Sequence, residues 1–286
     1  MSTELAIEGR GVVRDRGRFR LGPVDLTLPR GQVMGLVGPN GSGKTTLIKA
    51  ILGMTALDAG TLSVLGTAPE RAKGSVCAVL DAKFFVPGWS VAQAVRAIRP
   101  FYPNWDQNYA ESLLARFTLD PDAKVKELSH GEGNKLALVL ALAPLPELAV
   151  LDEPTSGLDP LTREEVMQVI RDYMARRDSS VLFSTHIPAD LGGIADQLVA
   201  VRAGRVVYSG HMDALTEVFF AVRGTNDDLL PLRDRLIGAR STTTNFEAIV
   251  RAVDSGGLPS SVLVEEASID DVVKALAVPV TEGIAR

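Results

Sequence analysis

The stretch Gly35-Leu36-Val37-Gly38-Pro39-Asn40-Gly41-Ser42-Gly43-Lys44-Thr45 limits what this chain can fold into more than any other. From Gly38 it fits G-x-x-x-x-G-K-[ST], a pattern that makes a phosphate cradle when it joins a strand to a helix. Both flanks are present. Val33-Met34-Gly35-Leu36-Val37 is a short apolar run of the kind buried in parallel sheets. Thr45 to Leu52 continues as helix and stops at Gly53. Loop N–H groups and the positive end of the helix dipole then face phosphate oxygens. The expected nucleotide-binding residues are Gly38, Pro39, Asn40, Gly41, Ser42, Gly43, Lys44, Thr45 and Thr46. Lys44 should reach the β- and γ-phosphates, and the Thr45 hydroxyl should ligate Mg²⁺.

A cradle of this type needs a carboxylate for the metal. Leu148-Ala149-Val150-Leu151 is an apolar strand that ends in Asp152-Glu153-Pro154, and strand ends are where such sheets present ligands. Asp152 is the expected metal partner. Glu153 is placed to act on the attacking water as general base. A solvated acidic turn is the plainer alternative, and the cradle upstream argues against it.

Composition narrows the setting. Hydrophobic residues make up 46% of the chain and charged residues 23%, the balance of a globular protein. The net charge of -5 argues against a nucleic-acid partner. One cysteine, Cys77, allows no internal disulfide and no Cys-rich metal site, which suits a reducing cytosol. The longest apolar block, Leu136 to Ala143, is closed by Pro144 and falls far short of the ~18 apolar residues of a membrane span. The N-terminus has no apolar signal-peptide core. Any membrane role is expected to run through a partner, from the cytoplasmic side.

Further motifs follow in order. Leu128-Ser129-His130-Gly131-Glu132 is similar to the signature LSGGQ of the ATP-binding cassette (ABC) family. After Asp152-Glu153 comes Ser156-Gly157-Leu158-Asp159, similar to that family's D-loop. Ser184-Thr185-His186 follows a second apolar strand, where the family keeps a switch histidine. Over roughly Met1 to Gly210 the chain resembles the ATPase subunit of an ABC transporter, with features of a bacterial exporter subgroup. Phe101 to Asp106 (Phe-Tyr-Pro-Asn-Trp-Asp) and Glu265-Glu266-Ala267-Ser268 are similar to stretches of that subgroup.

The resemblance implies an α/β P-loop NTPase (RecA-like) core with an antiparallel β subdomain and a helical subdomain. The ATPase domain would span 1–215, with the helical subdomain at about 84–143 and a small α+β extension over 216–286. It implies two subunits, identical or related, sandwiching two ATP with Mg²⁺ head to tail. Each site would pair one subunit's Lys44 loop with the other's Ser129 and Gly131. His186 would contact the γ-phosphate and orient the water. An integral-membrane permease would be the partner, bound at the inner face of the cell membrane.

Three departures from the family pattern stand out. Asp81 occupies the place of a metal-binding glutamine, one methylene shorter and anionic, and is the expected third metal contact. Arg16 falls where an aromatic stacks on adenine. Phe19, the aromatic nearby, is either a base contact or core, so weak base discrimination is expected. His130 replaces the first glycine of the signature and is read as an exposed spacer, the alternative being a residue that approaches the nucleotide.

Elsewhere, Ala110, Leu113, Leu114 and Phe117 mark one helix face that Asp106 can cap, and Val166, Val169, Ile170, Tyr173 and Met174 mark another. Leu198–Arg202 and Arg205–Tyr208 read as a hairpin. The region after Glu217, with a capping pair at Ser268 and Asp271, is expected to fold separately from the nucleotide site. At least two of Phe84, Phe85 and Trp89 are expected to line the groove that receives the permease, with burial in the core as the plainer alternative. DNA-repair or chromosome-organising ABC proteins need coiled coils or zinc modules that do not fit between Thr46 and Ser129. Translation factors of the family normally carry two cassettes, and a dead scaffold has no use for Lys44, Asp152, Glu153 and His186.

Overall fold

β3 (Val33–Val37) is buried at every position, as a continuous apolar run must be when both faces of a parallel sheet are covered. The computed structural model describes residues 4–80, 86–176 and 179–278. Asp81, Phe84 and Phe85 lie outside the described residues.

Along the chain, β1 (Leu5–Asp15) and β2 (Arg20–Pro29) precede β3, and α1 (Lys44–Ile51) follows it. β4 (Ala59–Val64) and β5 (Val76–Val79) lead to three helices, α2 (Val91–Ile98), α3 (Gln107–Arg116) and α4 (His130–Leu142). β6 (Leu148–Asp152), α5 (Pro160–Arg176), β7 (Ser180–Thr185), β8 (Gln197–Arg202) and β9 (Arg205–His211) complete the part that carries the motifs. α6 (Leu215–Val218), β10 (Phe219–Thr225), α7 (Asn226–Leu232), β11 (Leu236–Ser241), β12 (Asn245–Arg251), β13 (Leu263–Glu266) and α8 (Ile269–Ala277) follow.

The described residues form three sheets. The central one runs β5-β6-β7-β3-β8-β9, parallel except for the antiparallel β8–β9 hairpin. β2-β1-β4 make a small antiparallel sheet. α1 packs between the two: Leu47, Ile48 and Ile51 share a core with Met34 and Leu36 on one side and Ile7, Leu26 and Val64 on the other. This is the α/β P-loop NTPase architecture the motifs imply.

Capping sets the starts of α2, α3 and α4. Ser90 and Gln93 close a reciprocal capping box on α2, and Ser129 and Glu132 close one on α4. Asp106 accepts from Tyr109 N at 2.9 Å. Ala110, Leu113 and Phe117 turn inward, as their spacing predicts. Among the described residues, no helix is long and apolar enough to cross a membrane.

The C-terminal sheet, β11-β12-β10-β13, differs from expectation. Its central strands are apolar on both faces, with period two. Val222, Phe246, Ala248 and Val250 form their own cluster with Leu232. Phe219, Ala221 and Ile249 face the other way, into the large core that contains Val33, Leu198 and Ala200. α8 adds Val272, Val273, Ala275 and Leu276 to that core and touches β3 and β8. The region after Glu217 is therefore not a separate folding unit. A sheet apolar on both faces needs two covers, and the central α/β core supplies one. Leu276 is fully buried in this seam. Leu276→Ala is expected to lower unfolding free energy by roughly 2–5 kcal/mol. Equilibrium denaturation measures it, and the loss should appear in the main transition, with no separate C-terminal one.

Candidate nucleotide site

The loop from Gly38 to Gly43 spans the end of β3 and the start of α1, where close approach selects small residues. A Cβ at Gly38 would lie 2.2 Å from the carbonyl oxygen of Val201, and one at Gly43 would lie 3.0 Å from Phe19 Cζ. Gly43 is also left-handed, at φ 118. The loop is tied from within by Ser42 N to Pro39 O at 3.1 Å, and from the β8–β9 turn by Gly204 N to Ser42 O at 2.9 Å. Among the described residues no side chain makes a cap hydrogen bond at the start of α1. Pro39 is buried, while Asn40 and Gly41 are exposed on the rim and Thr46 sits half-buried in the first turn. Ser42 Oγ is buried without a hydrogen-bond partner among the described residues.

Lys44 lies under this loop, 6% exposed. Its ammonium donates to Gly38 O at 2.6 Å and lies 3.3 Å from Glu153 Oε1. That second contact is an ion pair without hydrogen-bond geometry, and Glu153 Oε1 has no hydrogen-bond partner among the described residues.

Asp152 ends β6 with 2% of its surface exposed. Ser184, its neighbour in register on β7, donates its hydroxyl to Oδ1 at 2.6 Å. Thr45 donates to Oδ2 at 3.2 Å. One carboxylate thus joins the P-loop helix to two strands. Burial holds its carboxyl above the usual range, and the two hydroxyls pull only partly the other way.

Glu153 leaves the strand at φ 51, a left-handed conformation that costs about 1–2 kcal/mol in a non-glycine residue. The bend brings its side chain between Lys44 and His186. His186 Nδ1 stands 2.6 Å from Glu153 Oε2, and its main-chain N–H donates to the same oxygen at 3.3 Å. Lys44, Thr45, Asp152, Glu153 and His186, read from three separate motifs, meet in one place.

Ser129 and Gly131 start α4. Ser129 bonds Glu132 of its own helix in the capping box, while Gly131 faces α5 and the turn before it: a Cβ there would meet Leu158 and Thr162 at 3.6 Å. His130 is exposed yet is not a spacer, because its Nε2 lies 3.0 Å from Ser156 O. Arg16 is exposed at the β1–β2 turn, and its N–H donates to Phe19 O at 2.8 Å. Phe19 is half-buried, joining the edge of the core while covering Gly43.

Two groups escaped the sequence reading. Asp190, 2% exposed, accepts from Thr155 Oγ1 at 2.7 Å, from Thr185 Oγ1 at 3.2 Å and from Arg163 Nε at 2.5 Å. It gathers the turn after Glu153, the strand before His186 and α5. Asn134, buried in α4, donates to Pro154 O at 3.2 Å. The signal available for Asp190 was an acid four residues after His186 in an otherwise uncharged stretch.

Residues 21–156 match the family described as ABC transporter. The ABC transporter ATP-binding protein YtrB of Bacillus subtilis is 32% identical over 221 residues, 76% of this chain and 73% of that protein. The Nod factor export ATP-binding protein I of Rhizobium sp. (strain N33) is 33% identical over 233 residues, 75% and 74% of the two chains. A solved ATP-binding subunit of an ABC transporter superposes with a TM-score of 0.66 at 26% identity, over 74% of this chain and 92% of that one. With its cradle, paired carboxylates and histidine assembled in one site, the chain belongs to the family of ABC transporter ATP-binding subunits.

Proposed function

We propose that the chain hydrolyses ATP at the Lys44–Glu153–His186 site to drive an integral-membrane permease from the inner face of the cell membrane, in the direction of export. The observation that carries this reading is the posture of Glu153, bent out of β6 and held between an ammonium and an imidazole. Export draws support from relatives named as Nod factor exporters. Val86 and Trp89, 46% and 36% exposed, lie in the same loop as Pro87 and are offered as part of the permease-docking surface.

The site fits a nucleotide triphosphate. An uncapped helix start and the orphaned Ser42 hydroxyl await an acceptor-rich ligand, and Lys44 spends its hydrogen bonds on the loop's own carbonyls. In the proposed complex the ammonium exchanges those carbonyls for the β- and γ-phosphates. Thr45 Oγ1 and Asp152 Oδ2 converge as an all-oxygen pair suited to Mg²⁺, which takes one or two carboxylates and completes its shell with phosphate and water. Mg²⁺, when bound, would neutralise phosphate charge there. Asp81 is proposed as a further ligand. Glu153 takes the proton of the attacking water as the bond between the γ-phosphorus and ADP breaks, and His186 orients Glu153 and that water. Ser129 and Gly131 would serve the nucleotide of a second subunit, identical or related. Phe19 and Arg16 would flank the base.

Glu153→Gln is expected to bind ATP normally and lose ~10²–10⁴ in kcat. Binding and steady-state phosphate release test this separately, and wild-type turnover in the variant would overturn the assignment. With Arg16 at the base position in place of an aromatic, ATP and GTP should give kcat/KM values within roughly tenfold of each other, since a guanidinium stacks on either base. A competition assay decides it.

Asp152 yields a pH dependence. Its folded-state pKa is raised, so the native protein holds this proton more tightly than the unfolded chain does. Stability from this group is greatest below its ordinary value of 3.8 and falls as pH rises through the folded value. Nucleotide-free Asp152→Asn should therefore resist denaturant better than wild type at about pH 7, with the advantage vanishing towards about pH 4. Denaturation midpoints at the two pH values give the comparison.

A further inference from the structure

α4 offers two hydrogen-bond donors, one helical turn apart on the same face, to a single short turn of chain. His130 Nε2 lies 3.0 Å from the carbonyl oxygen of Ser156, and Asn134 Nδ2 donates to that of Pro154 at 3.2 Å. A carbonyl only accepts, so the imidazole presents Nε2–H to Ser156. The turn begins at Glu153, whose own carbonyl accepts from Ser156 N at 3.1 Å. Gly157 completes the fit: its φ is 70, and a Cβ there would sit 3.3 Å from His130 Nε2. Glu153 at φ 51 is held in place by what surrounds it, and this turn is part of that surround.

We propose that His130 is a positioning residue for hydrolysis. By holding Ser156 it fixes the turn from Glu153 to Gly157 and hence the aim of the Glu153 carboxylate. The proposal rests on the reading of Glu153 as the base. A glycine at this helix position, as in the signature the motif resembles, has no side chain to make the tie. Here the end of α4 that bears Ser129 and Gly131 is linked through one imidazole to the carboxylate of its own chain. A shift of α4 is thus carried to Glu153.

His130 is exposed, so replacing it opens no core cavity. The test compares steady-state ATP hydrolysis and thermal midpoints of wild type, His130→Ala, His130→Phe, His130→Gln and Glu153→Gln. Ala and Phe are expected to lose on the order of 10-fold in kcat, the scale of one lost hydrogen bond to a carbonyl, with KM for ATP and thermal midpoint near wild type. Gln keeps an N–H donor of similar reach and should recover most of the rate. Wild-type kcat in Ala and Phe overturns the proposal, and so does a loss that Gln shares in full, which would assign the effect to ring shape. If Glu153→Gln hydrolyses ATP like wild type, the reading of the site itself fails. If it is inactive while His130→Ala is unimpaired, that reading stands and the positioning role fails.

Discussion

The carboxylate of Asp152, gripped by the hydroxyls of Thr45 and Ser184, is the interaction on which the rest of the site depends. It sets how far the helix that begins at Lys44 stands from β6 and β7. Everything acting on a phosphate here is measured from that distance. Two hydroxyls satisfy the geometry of a buried anion without cancelling its charge, and a carboxylate sealed from water favours its neutral form unless cations approach. Lys44 is near, but its hydrogen bonds go to the carbonyls of the loop and its ion pair is with Glu153. The site is built with more negative charge than its own side chains offset. That imbalance suits a cation arriving with a polyphosphate.

Around this anchor the chain is organised by strand ends. β3 delivers the loop, β6 delivers Asp152 and the bend to Glu153, and β7 delivers Ser184 and His186. All three are interior strands of the parallel sheet, so their apolar bodies are fixed by packing and their ends need little additional support. Asp190 supplies what is still needed. By accepting from Thr155, Thr185 and Arg163, it makes the turn after Glu153 and the approach to His186 one rigid piece.

Much of this was legible in the sequence, because the informative features are local. The Gly38–Thr45 loop, the apolar runs before it and before Asp152, the Asp106 and Ser268 caps and the β8–β9 hairpin each lie within a dozen or so residues of chain. What stayed hidden is long-range. Nothing near His130 announces Ser156, because the contact depends on how α4 docks against the turn before α5. Asp190 reads as one more surface acid until three distant donors close on it. The C-terminal region reads as its own unit because it lies beyond every motif, and its short apolar runs do not say that one face of the sheet they form is covered by the rest of the chain.

The docking of α8 has a consequence for how the molecule is made. β3, at Val33–Val37, lies far upstream in the chain of α8, at Ile269–Ala277, the helix that helps to cover the face carrying Val33 and Val37. A chain ending before Ile269 contains every residue of the phosphate loop and of the α1-facing core, but lacks part of the cover of the opposite face of the sheet. Contacts of such sequence separation close slowly, and apolar surface left waiting is what chaperones recognise. The sheet that holds the nucleotide loop is therefore fully covered only after α8 has been synthesised.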